Sequence, residues 1–145
     1  MDPISHIVSA VIFSAGFKFP LEGYIFTVLG SLLPDFAGPF IFHYYSWQSV
    51  STSRAYRKKP RPERLFRVYD FLHSFLFIAI ISAMSYLVHV FYFIALGMML
   101  HLIIDIPTHK WRGIGLFFPL KYCVRGFFDW VDIYIWLKSK LKFLP

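Results

Sequence analysis

From Phe71 to Ile106 the chain runs through 36 positions that are almost all apolar. At 1.5 Å per residue one helix of that length would reach about 54 Å, whereas ~20 residues already cross the hydrocarbon core of a bilayer. The run therefore predicts a helical hairpin turning near His89 to Tyr92, with Pro107 ending its second arm. Within and just after that arm, "LHLIIDIPTHKWRGIGLFFPL" places His101, Asp105 and His109 four residues apart. An ionised carboxylate in apolar surroundings costs several kcal/mol unless something pairs with it. A metal ion is one such partner.

Composition agrees with a membrane protein. The hydrophobic fraction is 57%, above the roughly 45–50% usual for soluble proteins. Eighteen Phe, nine Tyr and four Trp supply the rings that collect in apolar cores and at the headgroup level of bilayers. The formal charge of +7 is concentrated, with seven of fifteen Lys and Arg in "RAYRKKPRPERLFR", residues 54 to 67. Beside hydrophobic helices such a run marks a cytoplasmic loop near anionic lipid, so residues 48 to 67 are expected to form a basic flexible loop and no nucleic acid is expected as a partner. The single cysteine, Cys123, excludes an intramolecular disulfide and a CxxC metal knuckle.

Upstream, Asp2 and Pro3 read as a helix start, and they stand where a signal peptide would carry positive charge. The first helix runs to about Gly16, residues 17 to 22 turn, and "GYIFTVLGSLL" makes a second helix halted by Pro34. "IFHYYSW" resumes an apolar segment, residues 110 to 126 suggest an interfacial loop, and "FFDWVDIYIWLKSKLKFLP" reads as an amphipathic helix lying in the interface. The whole chain, 1–145, is expected to be one membrane-embedded all-α domain: an antiparallel bundle of four core helices plus that C-terminal amphipathic helix. Placing the basic loop inside brings His6, Asp35, His73, His101 and Asp105 to one side of the membrane, because an up-down-up-down bundle gathers alternate helix ends.

Histidine and carboxylate donors without a thiolate suit Zn, with Mn or Fe as further options. His101 and Asp105, at i and i+4, share a helix face. His6 lies in a first helical turn, whose positive end favours the neutral imidazole that binds metal. Asp70 and His73, at i and i+3, can share a site or let the acid orient the histidine. His109, beyond Pro107, can act as ligand or as acid and base. His43 and His89 have no acidic neighbour at helical spacing and read as structural, and Ser74 reads as a backbone-bonding residue, since no GxSxG elbow is present.

Four segments taken in order, "SHIVSA" (5 to 10), "GSLLPDFAGP" (30 to 39), "FLHSFLF" (71 to 77) and "LHLIIDIPTHKWRGIGLFFPL" (100 to 120), resemble the YdjM-like family of membrane-bound metal-dependent hydrolases. The resemblance covers residues 4 to 120. It implies that His6, Asp35, His73, His101 and Asp105 are the metal-site residues, with Thr108 and His109 adjacent. Two departures stand out: Ala37 where many members carry a second acid, and Val68–Tyr69 where they carry a His-Arg pair.

These readings lead to a membrane-bound hydrolase that holds one or two divalent metals at the cytoplasmic face of an inner membrane of bacterial type and cleaves a phosphoester of a lipid or lipid-linked substrate. Asp70 or His109 would move the proton, and Arg64, Arg67, Lys110 and Arg112 would hold the phosphate. A non-catalytic adaptor binding anionic lipid or a partner protein through the basic loop is the alternative, and a bis-histidine haem protein a third.

Overall fold

The computed structural model describes residues 3–37, 63–109, 113–120 and 123–127. The expectations for residues 41–47, for 48–62 of the basic loop, for Lys110 and Arg112, and for the amphipathic helix beyond Phe127 fall outside the described residues. Among the described residues five helices form: α1 (Pro3–Gly16), α2 (Leu21–Leu32), α3 (Glu63–Leu72), α4 (Phe75–Met84) and α5 (Val90–Thr108), with a 3-10 turn at Pro34–Ala37 after α2. Among the described residues there is no strand, only an isolated antiparallel bridge between Ile114 and Val124. The all-α class is thus the observed one.

The first two helices are amphipathic in reverse. On α1 the buried positions are His6, Ala10 and Ser14, while Ile4, Val8, Val11 and Ile12 face outward. On α2 Gly23, Thr27, Gly30 and Ser31 are buried, and Leu21, Ile25 and Leu29 are exposed. Small and polar groups inside with large aliphatic groups outside is the arrangement that lipid stabilises and water penalises. Only 39% of the most apolar window of α5 is buried within the protein, so the remainder also requires an apolar surrounding.

α5 lies chiefly against α2, with α1 on α2 and α4 on α5. Glycine makes the first of these crossings possible. A Cβ on Gly30 would overlap the Ile94 carbonyl group, and one on Gly97 would overlap the Thr27 carbonyl oxygen. The two backbones therefore touch, as at small-residue crossings of membrane helices. Further along, Ile78 and Ile81 of α4 pack with Ala95, Met98 and Leu102 of α5.

Several sequence expectations change. The expected membrane bundle of four core helices is met only in its all-α class: α5, at 19 residues, is the one described helix long and apolar enough to cross alone. α1 and α2, at 14 and 12 residues, are about 21 and 18 Å long against a ~30 Å hydrocarbon core. α3 and α4 meet at a break of His73 and Ser74 and are bent by 53°, a broken span or a re-entrant pair. The break is internally satisfied, since Ser74 Oγ donates to the Phe71 carbonyl (2.6 Å) and accepts from the Phe77 amide (3.1 Å), while the Phe75 amide donates to Leu116 (3.0 Å).

Residues 63–67, expected in the flexible loop, are helical: α3 turns Phe66 and Tyr69 inward, three apart, and leaves Arg64, Arg67 and Val68 outside. The hairpin turns earlier than expected, at Ser85–His89, where Tyr86 and Leu87 amides bond back to Ala83 and Met84. Pro107 sits inside α5 rather than ending it, one residue before its C-terminus. The described part of the expected interfacial loop instead sends Ile114 and Leu116 into the core, 0% and 3% exposed.

Replacing Gly97 by leucine forces α2 and α5 apart. The expected cost is about 1–3 kcal/mol from overpacking, read as a lower thermal midpoint in detergent. A Gly97→Leu protein as stable as the parent would show that the helices do not touch there. Ser74→Ala removes a helix cap and should cost about 1 kcal/mol in the same assay.

Candidate metal centre

Four residues from three elements meet beside the α2–α5 contact. Asp35 comes from the 3-10 turn that Pro34 starts, His73 from the α3–α4 break, and His101 and Asp105 from successive turns of one face of α5. Their donor atoms all lie within 4.8 Å of one another, and the group could hold a metal ion. His73, His101 and Asp105 are fully buried, and Asp35 is 12% exposed. His6 of α1 stacks on His101 with ring centroids 4.0 Å apart and approaches Asp105 Oδ1 to 3.2 Å.

Two backbone carbonyls fix the state of the inner histidines. His101 Nδ1 lies 2.6 Å from the Ser31 oxygen, and His73 Nδ1 lies 2.9 Å from the Tyr69 oxygen. A carbonyl only accepts, so each Nδ1 carries the proton and each neutral ring keeps a lone pair on Nε2. Those two Nε2 atoms stand 3.1 Å apart, and Asp105 Oδ2 lies 3.2 Å from His101 Nε2 and 3.8 Å from His73 Nε2. Asp35 Oδ1 lies 3.6 Å from His73 Nε2 and 3.8 Å from His101 Nε2. Lone pairs thus face lone pairs, and Asp35 Oδ1 and both Asp105 oxygens are buried without a hydrogen-bond partner.

A cation among these atoms would offset the strongly unfavourable burial of bare carboxylates. A proton would serve one nitrogen–oxygen pair, whereas four donors converge on a common centre. Neighbouring ligands of a tetrahedral ion with 2.0–2.1 Å bonds are about 3.3 Å apart, and the five separations here run from 3.1 to 3.8 Å. The residues fit a divalent metal. They do not fit haem: Asp35 and Asp105 oxygens stand within 4 Å of both Nε2 atoms, in the space a macrocycle would cross.

The other residues singled out from sequence are placed differently. His109 is held at the end of α5, its Nδ1 donating to the Asp105 carbonyl (2.9 Å) and its Nε2 accepting from the Tyr69 hydroxyl (3.1 Å). Its Nδ1 is 3.8 Å from Asp105 Oδ2, beside the cluster. Asp70, half-buried, packs against Gly115, whose added Cβ would come within 2.7 Å of the Asp70 Cβ. Arg64 and Arg67 are exposed on α3.

Sequence reasoning missed Tyr69 and Ser31. Tyr69 supplies its carbonyl to His73, stacks its ring on that histidine at 3.9 Å, and gives its hydroxyl to His109. Its position four residues before His73 is the helical spacing for a side chain to reach a backbone carbonyl, a signal that sequence does contain. Ser31 gives no such signal, since it reaches His101 across 70 residues.

Reversed amphipathicity, a long apolar helix and a buried cluster of imidazoles and carboxylates define a membrane-embedded helical protein with a candidate metal site. The YdjM inner membrane protein family matches residues 1–142, and the chain belongs to that family. No curated protein and no solved structure matches it.

Metal removal should destabilise the protein. An ion bound at 100 times its dissociation constant contributes about 2.7 kcal/mol, so chelation should lower the thermal midpoint. Asp105→Asn, which removes buried charge at constant shape, should bind metal weakly and lose most of this sensitivity to chelator. An equal chelator response in both proteins would argue against an ion at Asp105.

Proposed function

We propose that the protein is a metal-dependent hydrolase that cleaves a phosphoester of a lipid or lipid-linked substrate at the cytoplasmic face of the inner membrane. The observation that carries this reading is the convergence of two carbonyl-oriented histidines and two partnerless carboxylates on one point. Asp35, His73, His101 and Asp105 would hold the ion, and zinc suits a nitrogen and oxygen set with tetrahedral spacing, with Mn or Fe also acceptable to these donors. A divalent ion supplies Lewis acidity there, polarising the ester and acidifying water.

The chain's own groups do the rest. Among the described residues, exposure at the cluster rises at Asp35 and at His109, 12% and 14%, so water and the substrate's headgroup would reach it by that edge. His109 stands there with Nε2 accepting from the Tyr69 hydroxyl, so a proton would reach Nε2 through that hydroxyl, which takes one from water as it gives up its own. Asp70, three residues after Arg67 on α3 and one helical turn before His73, would be the second proton carrier. Arg64 and Arg67 on the outer face of α3, with Lys110 and Arg112, would attract the phosphate. The same basic residues support the cytoplasmic orientation by the positive-inside bias.

The test is phosphate release from phosphatidic acid vesicles or micelles by protein loaded with zinc, manganese or iron. His73→Ala should abolish both metal content and turnover. His109→Gln should keep the metal and lower kcat by about 10²–10⁴-fold, the usual worth of an acid–base group. Fully loaded wild type inert toward phosphomonoesters and phosphodiesters alike would refute the hydrolase reading.

A further inference from the structure

The two carboxylates do not spend both oxygens on the same partners. Asp105 Oδ2 faces His73 and His101, while Asp105 Oδ1 faces His6 at 3.2 Å. Asp35 repeats the division, with Oδ1 toward His73 and His101 and Oδ2 toward His6 at 3.9 Å. His6 is 2% exposed, its Nδ1 has no hydrogen-bond partner, and Asp105 Oδ1 has none either. His6 Nε2, Asp105 Oδ1 and Asp35 Oδ2 are therefore left facing one another once the first four donor atoms are assigned.

We propose a second divalent-cation position, held by His6 Nε2, Asp105 Oδ1 and Asp35 Oδ2, so that both aspartates bridge a two-metal centre. This rests on the metal site proposed above. Ring geometry supports it independently of the oxygen count. An imidazole binds an ion in its own plane, and the His6 and His101 rings are stacked, 4.0 Å between centroids and 21° from parallel. Ions in those two planes would stand about one ring spacing apart, which is the ~3.5–4 Å separation of two-metal hydrolytic sites.

A two-metal centre narrows the substrate class. Two divalent ions over two carboxylates leave the cluster net positive, so it favours an oxyanion ester, whose attacking and leaving oxygens a metal pair can clamp. The α1 helix then has a defined purpose: it brings His6, and with it the second ion, to a cluster already built by the 3-10 turn, the α3–α4 break and α5.

Metal content separates the readings. Full-length protein in detergent, stripped and reloaded with zinc, should contain two ions per chain by elemental analysis, and His6→Ala should contain one. One ion in both proteins would overturn the second position and leave the first standing, whereas none in wild type would overturn both. Because His6→Ala removes a buried ring, wild type loaded with manganese gives a check without substitution. Its electron paramagnetic resonance spectrum should change from an isolated six-line signal at one equivalent to a spin-coupled signal at two. A second equivalent that only adds uncoupled six-line intensity would overturn the proposal.

Discussion

Gly30 and Gly97 let the backbones of α2 and α5 touch, and the cluster hangs from that contact. One residue past Gly30, the Ser31 carbonyl meets His101 Nδ1, and one turn past Gly97, His101 aims Nε2 at the centre. A wider crossing would break this bond, leave a buried imidazole free to rotate, and move Asp105, one turn further along the same face. Membrane helices gain little from bringing oily surfaces together, since lipid tails are as apolar as leucine. Close backbone packing is then the force that remains, and here it also sets the orientation of a ligand.

The second support is the interruption between α3 and α4. A continuous helix would carry His73 past the cluster, whereas the break turns the chain by 53° and gives His73 a carbonyl from Tyr69. Irregular backbone at membrane depth needs every polar group satisfied by protein. Ser74 and the Leu116 carbonyl meet that demand, which is why the segment after α5 is drawn into the core instead of lying on the surface. Tyr69 joins this break to the end of α5 through His109, so the ligands from the break and from α5 are mechanically connected.

Much of the cluster was legible in the sequence because burial of charge is a local signal. His101 and Asp105 stand out four apart in an oily run, and Asp35 after Pro34 or His73 before Ser74 occupies a helix boundary that proline and serine announce. Hydropathy was less informative about spans, since it counts apolar residues without seeing the bend at His73 or the shortness of α1 and α2. The helical start of α3 was hidden by the charges of its outer face, which drew attention away from Phe66 and Tyr69 within it. Membership of the YdjM inner membrane protein family agrees with the ordered motifs, which are short because each ligand needs only its own helix end to be specified.

By itself the sequence determined the solvent and the inventory: a helical chain suited to lipid, carrying imidazoles and carboxylates too expensive to bury without a cation. Tertiary structure decided which atoms of those residues face one another. The choice of Nδ1 or Nε2 depends on carbonyls that can lie 70 residues away, as at Ser31, and the division of each carboxylate between two sets of histidines depends on where α1 is laid against α2. Such contacts are fixed by helix crossing and rotation, which depend on the packing of all the helices together and leave no mark in the spacing along any one of them.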